Sequence, residues 1–296
     1  YYLAANSPLH HAGSAGISPR LQSELQHKTT YAPALIAVNT TVTGDMTLSP
    51  QAQRYTNGAP DIGYYYDALD YTIANFTLDG GSLTVLPNTS IAVRNDYNST
   101  NGTYTVEGFF VRQGSSIISH GTPTKPNIFT TERLVQETPE TGFAAYKINN
   151  GLWFCGITFV TDSEPNAQNS PAAVYDFRFS KFYLPQSDYH FWSGYDEYGD
   201  YTLEVSPDSS MYLVLQDSQF HGGRINLGNP DQSYYPATQV YPAGALSWIN
   251  NSFENTAISL DPTYYRANGV VNCDMQLLAY NNLFKGGNWF LLEPFP

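Results

Sequence analysis

The side chains best suited to chemistry surround one glycine pair in the last third of the chain. Arg224 directly follows His221, Gly222 and Gly223, and Asp217 lies four residues before the histidine. A polysaccharide lyase needs a base, together with charged groups that neutralise an acidic sugar. The glycines would let a ligand approach the backbone closely. Asp217, His221 and Arg224 are therefore the candidate catalytic residues.

A structural explanation competes with this chemistry. A second glycine pair, Gly286-Gly287, follows Lys285 at the same position of a related segment, without the histidine and the arginine. A pair that recurs in this way is better explained as a sharp backbone corner. The sequence therefore leans against catalysis but leaves the enzyme question open.

An acidic, tyrosine-rich segment over residues 194–201 is the second place where chemistry is conceivable. Paired carboxylates hydrolyse glycosidic bonds, and oxygen ligands of this kind hold Ca²⁺. The segment matches no EF-hand pattern, so a solvated loop is the preferred interpretation, and no other cofactor is indicated. The candidate metal ligands are Asp196, Glu197 and Asp200.

Aromatic side chains crowd the longer connecting segments. Loops carry binding functions more often than the elements they connect. These aromatics would either bind glycan or another protein, or cover a sheet edge, and both alternatives stay open. The candidate ligand-binding residues are Trp192, Tyr195, Tyr198, Tyr234, Tyr235, Tyr264 and Tyr265.

The elements that must position these residues form a repeat. Segments 213–227, 246–260 and 277–291 align on one phenylalanine each, at spacings of 33 and 31 residues. A unit this short cannot bury its own apolar face, so the copies must stack, with matched side chains forming ladders. An asparagine at the corner tolerates the left-handed backbone of a sharp turn. The matched positions are Phe220, Phe253 and Phe284; Leu213, Leu246 and Leu277; Asp217, Asn250 and Asn281; Ile225, Ile258 and Trp289; and Leu227, Leu260 and Leu291.

This repeat predicts an all-β fold, a right-handed parallel β-helix over residues 67–296. A degenerate copy is predicted over 172–183, with Phe179 in the place of the repeat phenylalanine. Residues 1–66 are rich in connectors and predict an irregular N-terminal section, of the kind that ends a preceding β-helix module. Within it, Ser18 and Pro19 favour the start of a short helix.

Composition narrows the classes of partner. Only 13% of the residues are charged, against about 25% in ordinary soluble proteins, and the net charge is −13. The absence of a basic cluster argues against nucleic acid and anionic membranes, and no apolar run is long enough for membrane insertion. The low charge predicts a secreted or cell-surface location. Cys155 and Cys273 are either buried thiols or a disulfide.

Two short motifs add a family resemblance. Residues 6–13 (NSPLHHAG) and 60–67 (PDIGYYYD) resemble the SPxxDAG and DIGxYxY marks that close right-handed β-helices in exported bacterial proteins, although His11 and Asp67 depart from them. The chain from Asp61 onward is also similar to β-helical regions upstream of YD-repeat (Rhs-like) segments. The resemblance rests on DIGYYYDALDY, HGTPTKPN, VQE and DSQFHGG. It implies a scaffold role without catalytic residues.

We therefore expect a non-catalytic scaffold, adhesin or shell segment of a large secreted or cell-surface protein. Its expected partners are other segments of a larger polypeptide, other surface proteins, or glycan. A carbohydrate-active β-helix enzyme, either a polysaccharide lyase or a glycoside hydrolase, is the alternative. A self-assembling extracellular structural protein is the third hypothesis, because solenoid ends expose strand edges to homotypic pairing.

Overall fold

The computed structural model of the chain describes residues 2–94, 97–98, 103–104, 108–112, 114–136, 156–158, 171–193, 211–228, 244–261, 263–266, 269–272 and 275–291. The first half contains α1 (Pro19–Leu25), β1 (Lys28–Thr29), β2 (Ala34–Leu35), β3 (Thr40–Val42), β4 (Met46–Leu48), β5 (Tyr66–Asp67), β6 (Tyr71–Ile73), β7 (Asn75–Leu78), β8 (Ser82–Val85), β9 (Ser90–Val93), β10 (Tyr97–Asn98), β11 (Thr103–Tyr104), β12 (Gly108–Val111), β13 (Ser116–His120), β14 (Asn127–Thr131) and α2 (Glu132–Gln136).

The second half consists of strands alone among the described residues. They are β15 (Gly156–Thr158), β16 (Ala173–Arg178), β17 (Ser180–Ser193), β18 (Met211–Gln216), β19 (Gln219–Gly228), β20 (Gly244–Ile249), β21 (Ser252–Glu254), β22 (Ala257–Asp261), β23 (Thr263–Arg266), β24 (Gly269–Asn272), β25 (Met275–Tyr280), β26 (Leu283–Lys285) and β27 (Trp289–Leu291).

The chain winds repeatedly through three parallel faces. Face A is a seven-stranded sheet in the order β4-β8-β13-β16-β18-β20-β25. Face B stacks β2, β6, β9, β14, the first half of β17, the first half of β19, β21 and β26. Face C stacks β3, β7, β12, β15, the second halves of β17 and β19, β22 and β27. This arrangement confirms the predicted parallel β-solenoid.

The solenoid begins at β2, nearer the N-terminus than the predicted start at residue 67. Strands β2, β3 and β4 lie within residues 34–48 and pair in parallel with β6, β7 and β8, respectively. The irregular section predicted over residues 1–66 is therefore not confirmed as a whole. The short helix predicted there is present as α1, where the side chain of Ser18 caps the N–H of Leu21 and Pro19 occupies the first turn.

The predicted phenylalanine ladder fills the core. Phe220 pairs in register with Phe253, and Phe253 with Phe284, with ring centroids 4.9 and 5.0 Å apart and nearly parallel planes. Phe182 extends the ladder, because its ring stacks on Phe220 at 4.5 Å. The degenerate copy was therefore aligned wrongly in the prediction. Phe182, and not Phe179, occupies the ladder position.

The predicted asparagine corner is present as well. Asp217, Asn250 and Asn281 all have left-handed backbones, with φ between 51° and 58°. Asn250 donates to Asp217 Oδ1 at 3.1 Å, and Asn281 donates to Asn250 Oδ1 at 2.8 Å. Each corner residue therefore tolerates the left-handed backbone that the sharp turn requires. Its side chain also forms a hydrogen bond with the corner residue of the neighbouring copy. Phe179 adopts the same left-handed backbone, at φ 48°.

A second polar ladder runs one residue further on, inside the fold. Asn251 Oδ1 accepts from the backbone N–H of Ser218 at 3.0 Å, and its Nδ2 donates to the carbonyl of Leu215 at 2.8 Å. Asn282 repeats the arrangement, because its Oδ1 accepts from the N–H of Asn251 and its Nδ2 donates to the carbonyl of Trp248. The buried amide of Asn251 and the half-buried amide of Asn282 satisfy backbone groups that would otherwise lose hydrogen bonds at the corner.

The glycine pairs are corners between faces B and C. Gly222, Gly223, Gly286 and Gly287 all have left-handed backbones. A Cβ on Gly287 would lie 2.1 Å from a backbone carbonyl oxygen of the neighbouring strand, so no larger residue fits there. The structural interpretation of the glycine pairs is confirmed.

Candidate functional site

One outward-facing column on face B carries the predicted histidine. Tyr183, His221, Glu254 and Lys285 occupy successive positions in register. The rings of Tyr183 and His221 stack with centroids 4.7 Å apart. Glu254 Oε2 lies 3.2 Å from His221 Nδ1, and its other oxygen accepts from the ammonium of Lys285. The column is partly exposed, and its four side chains contact one another in sequence.

The electrostatics of this column keep Glu254 charged. The hydrogen bond and the positive charge of Lys285 lower the pKa of Glu254, and His221 lowers it further. His221 Nε2 is shielded from solvent and has no hydrogen-bond partner. A general base needs an imidazole oriented by a carboxylate and a second ring nitrogen that reaches the substrate; His221 meets the first condition, but the shielding of Nε2 leaves the second unmet.

The other two predicted catalytic residues occupy different positions. Asp217 lies at the corner between faces A and B, where its oxygens accept from Asn250 and Gln216. The left-handed corner and the first residues of β19 separate it from His221. Arg224 follows the glycine corner on β19 and is exposed. The structure therefore places His221 and Arg224 on one strand, but it engages Asp217 in the corner ladder.

Most of the other sequence candidates lie outside the described residues. These are Tyr195, Tyr198, Tyr234 and Tyr235, the acidic residues Asp196, Glu197 and Asp200, and the cysteines Cys155 and Cys273. Trp192 lies in β17, where its backbone pairs with Asn226. Tyr264 and Tyr265 lie in β23, which forms an antiparallel hairpin with β24. Within the described parts of the chain, no group of three His, Cys, Asp or Glu side chains could hold a metal ion.

A second charged cluster lies on the outer side of face A. His120 Nε2 is 2.9 Å from Asp176 Oδ2, and Arg178 donates to both carboxylate oxygens at 2.9 and 3.0 Å. Burial alone would raise the pKa of Asp176, but the hydrogen bonds from Arg178 and His120 hold it below its ordinary value. No motif in the sequence indicates this cluster, because His120 and Asp176 come from strands 56 residues apart.

The two motif segments, residues 6–13 and 60–67, meet around Asp61. Asp61, from the second mark, accepts from the His11 N–H at 2.8 Å and from the Thr30 hydroxyl. His10 Nδ1, from the first mark, lies 2.8 Å from Asp61 Oδ2. We call this region, comprising residues 2–13, 28–31 and 60–67, the N-terminal closure. The sequence did not predict that these two segments meet, nor which side chains join them.

A shallow pocket, open to solvent, lies beside Asp61. Its charges are largely balanced, since Arg54 lies 3.5 Å from the buried carboxylate of Asp70. Tyrosines and amides dominate the remaining surface. The lining includes His11, Tyr31, Gln53, Tyr55, Asn57 and Tyr65.

A buried histidine occupies the core next to the first glycine corner. His190 is 1% exposed, and its Nε2 lies 3.0 Å from the carbonyl oxygen of Gly222. Burial lowers its pKa to about 3, so the ring is neutral at ordinary pH. His190 also explains the glycine beside it, because a Cβ on Gly223 would lie 2.5 Å from the imidazole.

The fold and these sites define a parallel β-solenoid protein. No protein-family model, curated protein or solved structure matches the chain. No helix within the described residues is long and apolar enough to cross a membrane.

Proposed function

We propose that the chain is a non-catalytic scaffold, adhesin or shell segment of a larger secreted or cell-surface protein. The observation that carries the proposal is the continuity of the aromatic and amide ladders through the stacked strands. Such a stack resists bending because each strand is hydrogen-bonded on both sides and each core ring packs on its neighbour. Its seven face A strands extend over roughly 29 Å at the spacing of paired strands.

The pairing of surface charges supports the same proposal. Glu254 lies between His221 and Lys285, and Asp176 contacts both His120 and Arg178. In both cases the partners come from neighbouring strands of one face or from the same strand. Charges used in this way link successive copies, as expected in a solenoid whose outer faces have a structural role.

The composition and the two marks extend the proposal to a biological setting. A low-charge, tyrosine-rich β-solenoid suits an exported bacterial protein of the Rhs-like type, in which the stack would present its loops. Its partners would then be the rest of the polypeptide, other surface proteins, or glycan bound by aromatic loops.

A carbohydrate-active enzyme is the second candidate, and one observation favours it. His221 has Glu254 at one ring nitrogen and no partner at the other, and Arg224 follows on the same strand. Arg224 lies beyond the glycine corner, on face C, so a uronate-containing chain would have to cross that corner to bring its acidic proton to His221 and its carboxylate to Arg224. No second carboxylate accompanies Glu254 in this column, so a lyase fits better than a hydrolase.

Self-assembly is the third candidate. Leu277, Phe284 and Trp289 continue the core columns but are 37–39% exposed on the last described strands. Apolar strand edges pair readily with further strands. Sedimentation velocity over a wide concentration range tests this candidate, and a species that stays monomeric throughout would contradict it.

The deciding experiment incubates the chain with neutral and uronic-acid polysaccharides. Reducing ends and the ultraviolet absorbance of unsaturated uronate are measured, together with binding to the same sugars on a surface. We expect no product from any sugar, whether or not binding occurs. The matched variants are His221→Gln and, as a control on another face, His120→Gln.

The outcomes separate the candidates. Product that is lost in His221→Gln and retained in His120→Gln would replace the scaffold proposal with a lyase at His221. Product that survives both substitutions would also overturn it and would place catalysis elsewhere. Absence of product from all sugars supports the scaffold.

A further inference from the structure

Residues 2–13 form a strap that lies across two later segments of the chain. Its backbone is bonded at both ends: the N–H of Leu3 donates to Thr30 at 2.9 Å, and the N–H of Gly13 donates to Pro60 at 2.8 Å. Between them, the N–H of Ile62 donates to the carbonyl of Leu9 at 2.9 Å. These backbone bonds are few, so a side-chain contact in the middle of the strap has a large influence on its stability.

His10 supplies that contact. Its side chain is 9% exposed, and its ring stacks on Tyr31 with centroids 4.3 Å apart. Nδ1 lies 2.8 Å from Asp61 Oδ2, and Nε2 lies 3.0 Å from the carbonyl oxygen of Ala4. Both ring nitrogens therefore face acceptors.

The two acceptors determine which form of the ring fits. A carbonyl oxygen can only accept, and Asp61 already accepts from the His11 N–H and from the Thr30 hydroxyl, as expected of a carboxylate. A neutral imidazole has one donor and one lone pair, so one nitrogen would face an acceptor without a proton between them. The doubly protonated ring satisfies both contacts.

We propose that His10 is a pH-sensitive clasp that holds the strap against residues 29–31 and 60–62 while its ring is protonated. When the ring loses its proton, the ion pair between His10 and Asp61 is lost and their contact weakens, so the strap loosens. The bond from Nε2 to Ala4 lies within the strap and does not hold it to the later segments.

The titratable groups around the ring agree with this assignment. Asp61 faces it from the later segment, Tyr31 covers one side, and the His11 ring lies 6.4 Å away on the strap itself. Tyr65 contacts the backbone of Asp61 rather than the imidazole. The hydrogen bond to Asp61 raises the pKa of His10 above its ordinary 6.5, against the opposing effect of burial.

The sign of the pH effect follows from these contacts. Because the folded pKa of His10 is raised, its contribution is complete below about pH 6.5 and is lost as the pH rises through the folded value. Burial would raise the pKa of Asp61, but bonds from Thr30, His11 and His10 lower it below 3.8. The contribution of Asp61 is therefore lost only in stronger acid. The strap is held best in mildly acidic solution.

Loosening of the strap would alter the neighbouring pocket. His11 lies on the strap and lines that pocket, together with Tyr31 and Asp61. Release would remove one wall and uncover the face of Tyr31 that His10 covers. The clasp thus connects solution pH to the accessibility of a tyrosine-lined surface.

Hydrogen–deuterium exchange of the whole chain tests the proposal. Protection factors for peptides within residues 2–13, corrected for intrinsic exchange, are compared at about pH 5.5 and about pH 8.5, on either side of the ordinary histidine range. We expect several-fold weaker protection at the higher pH, confined to the strap. His10→Gln, which keeps a donor for Asp61 but cannot titrate, should remove the pH dependence, and His27→Gln should retain it.

Three results would overturn the clasp. These are strap protection that does not change with pH, a pH dependence that persists in His10→Gln, and one that disappears instead in His11→Gln. If His10→Gln does not fold, an NMR titration of the unmodified chain decides the question. A His10 midpoint above 6.5 supports the proposal, and a midpoint at or below 6.5 contradicts it.

Discussion

The N-terminal closure and the C-terminal stack (described residues 180–291) are stabilised by opposite means. In the stack, one contact is repeated: phenylalanine packs on phenylalanine and amide bonds to amide in successive copies. In the closure, each contact occurs once, and the central one joins a histidine to a carboxylate. Repetition makes the stack cooperative, whereas single polar contacts make the closure sensitive to its surroundings.

The difference between the two regions is clearest in the pKa values of His10 and His190. Next to Asp61, the charged form of His10 is favoured, and the pKa is raised. Among Phe182, Phe220 and a glycine corner, the charged form of His190 is disfavoured, and burial lowers the pKa to about 3. Mild acid therefore strengthens one region and weakens the other.

The largest expected effect concerns the phenylalanine ladder. Phe220 is fully buried between two stacked rings, so Phe220→Ala should cost about 4 kcal/mol through lost burial and the cavity left behind. Urea denaturation of both proteins measures this. Phe290→Ala, at a residue 59% exposed, is the matched control and should cost much less. Equal losses in the two variants would show that the ladder does not carry the stability of the stack.

The internal amide ladder should come next. Asn251→Ala leaves the N–H of Ser218 and the carbonyl of Leu215 without their side-chain partner in a buried corner. Unsatisfied buried groups of this kind cost about 1–3 kcal/mol each, so we expect a loss of about 3 kcal/mol. Asn250→Gly serves as the control, because glycine keeps the left-handed backbone and the exposed bond is weak. A larger loss in the control would contradict the assigned role of Asn251.

A change in the closure should have a smaller and more local effect. Asp61→Asn removes the charge that His10 and Thr30 contact, and loss of a hydrogen-bonded charge costs about 2 kcal/mol. Amide exchange should accelerate in residues 2–13 and 28–31, while the described strands of residues 180–291 keep their protection. If the stack were also destabilised, the two regions would form one cooperative unit, and the contrast between them would fail.

The acid sensitivity caused by His190 is the smallest expected change in stability when it is counted per pH unit. The unfolded chain takes up a proton near pH 6.5, but the folded chain does so only near pH 3. Stability should therefore fall as the pH decreases between these values, by at most about 1.4 kcal/mol per pH unit. Thermal unfolding of His190→Gln should show a shallower slope than the unmodified chain. His27→Gln, at an exposed histidine, should leave the slope unchanged.

The sequence predicted the stack well because identical residues recurred at nearly equal spacing. Three aligned segments were sufficient to identify the phenylalanine, leucine and asparagine columns before any strand was observed. The wrong alignment of Phe179 shows the limit of predicting ladder positions from spacing alone. Phe177, Phe179 and Phe182 lie within six residues, and only strand pairing selects Phe182 for the ladder.

The closure could not be predicted in the same way. Strands β2 to β4 have two or three residues each, too few to show alternation. The contacts of Asp61 reach back 31 and 51 residues without any period to relate them. The column of His221, Glu254 and Lys285 follows from the repeat alignment, but the stacking of Tyr183 on it depended on the correct alignment of β17.

Because phenylalanine stacks on phenylalanine in successive copies, the number of copies in the stack can change while the cross-section of the solenoid stays the same. Phe220 meets phenylalanine on both sides, so either neighbour could be exchanged for another copy without changing the surface it contacts. Duplication or loss of a whole unit of 31 or 33 residues would move the loops further apart or closer together and leave every remaining ring with an equivalent partner. Natural variants of this chain would then be expected to differ by whole units in the stack and by single substitutions in the closure.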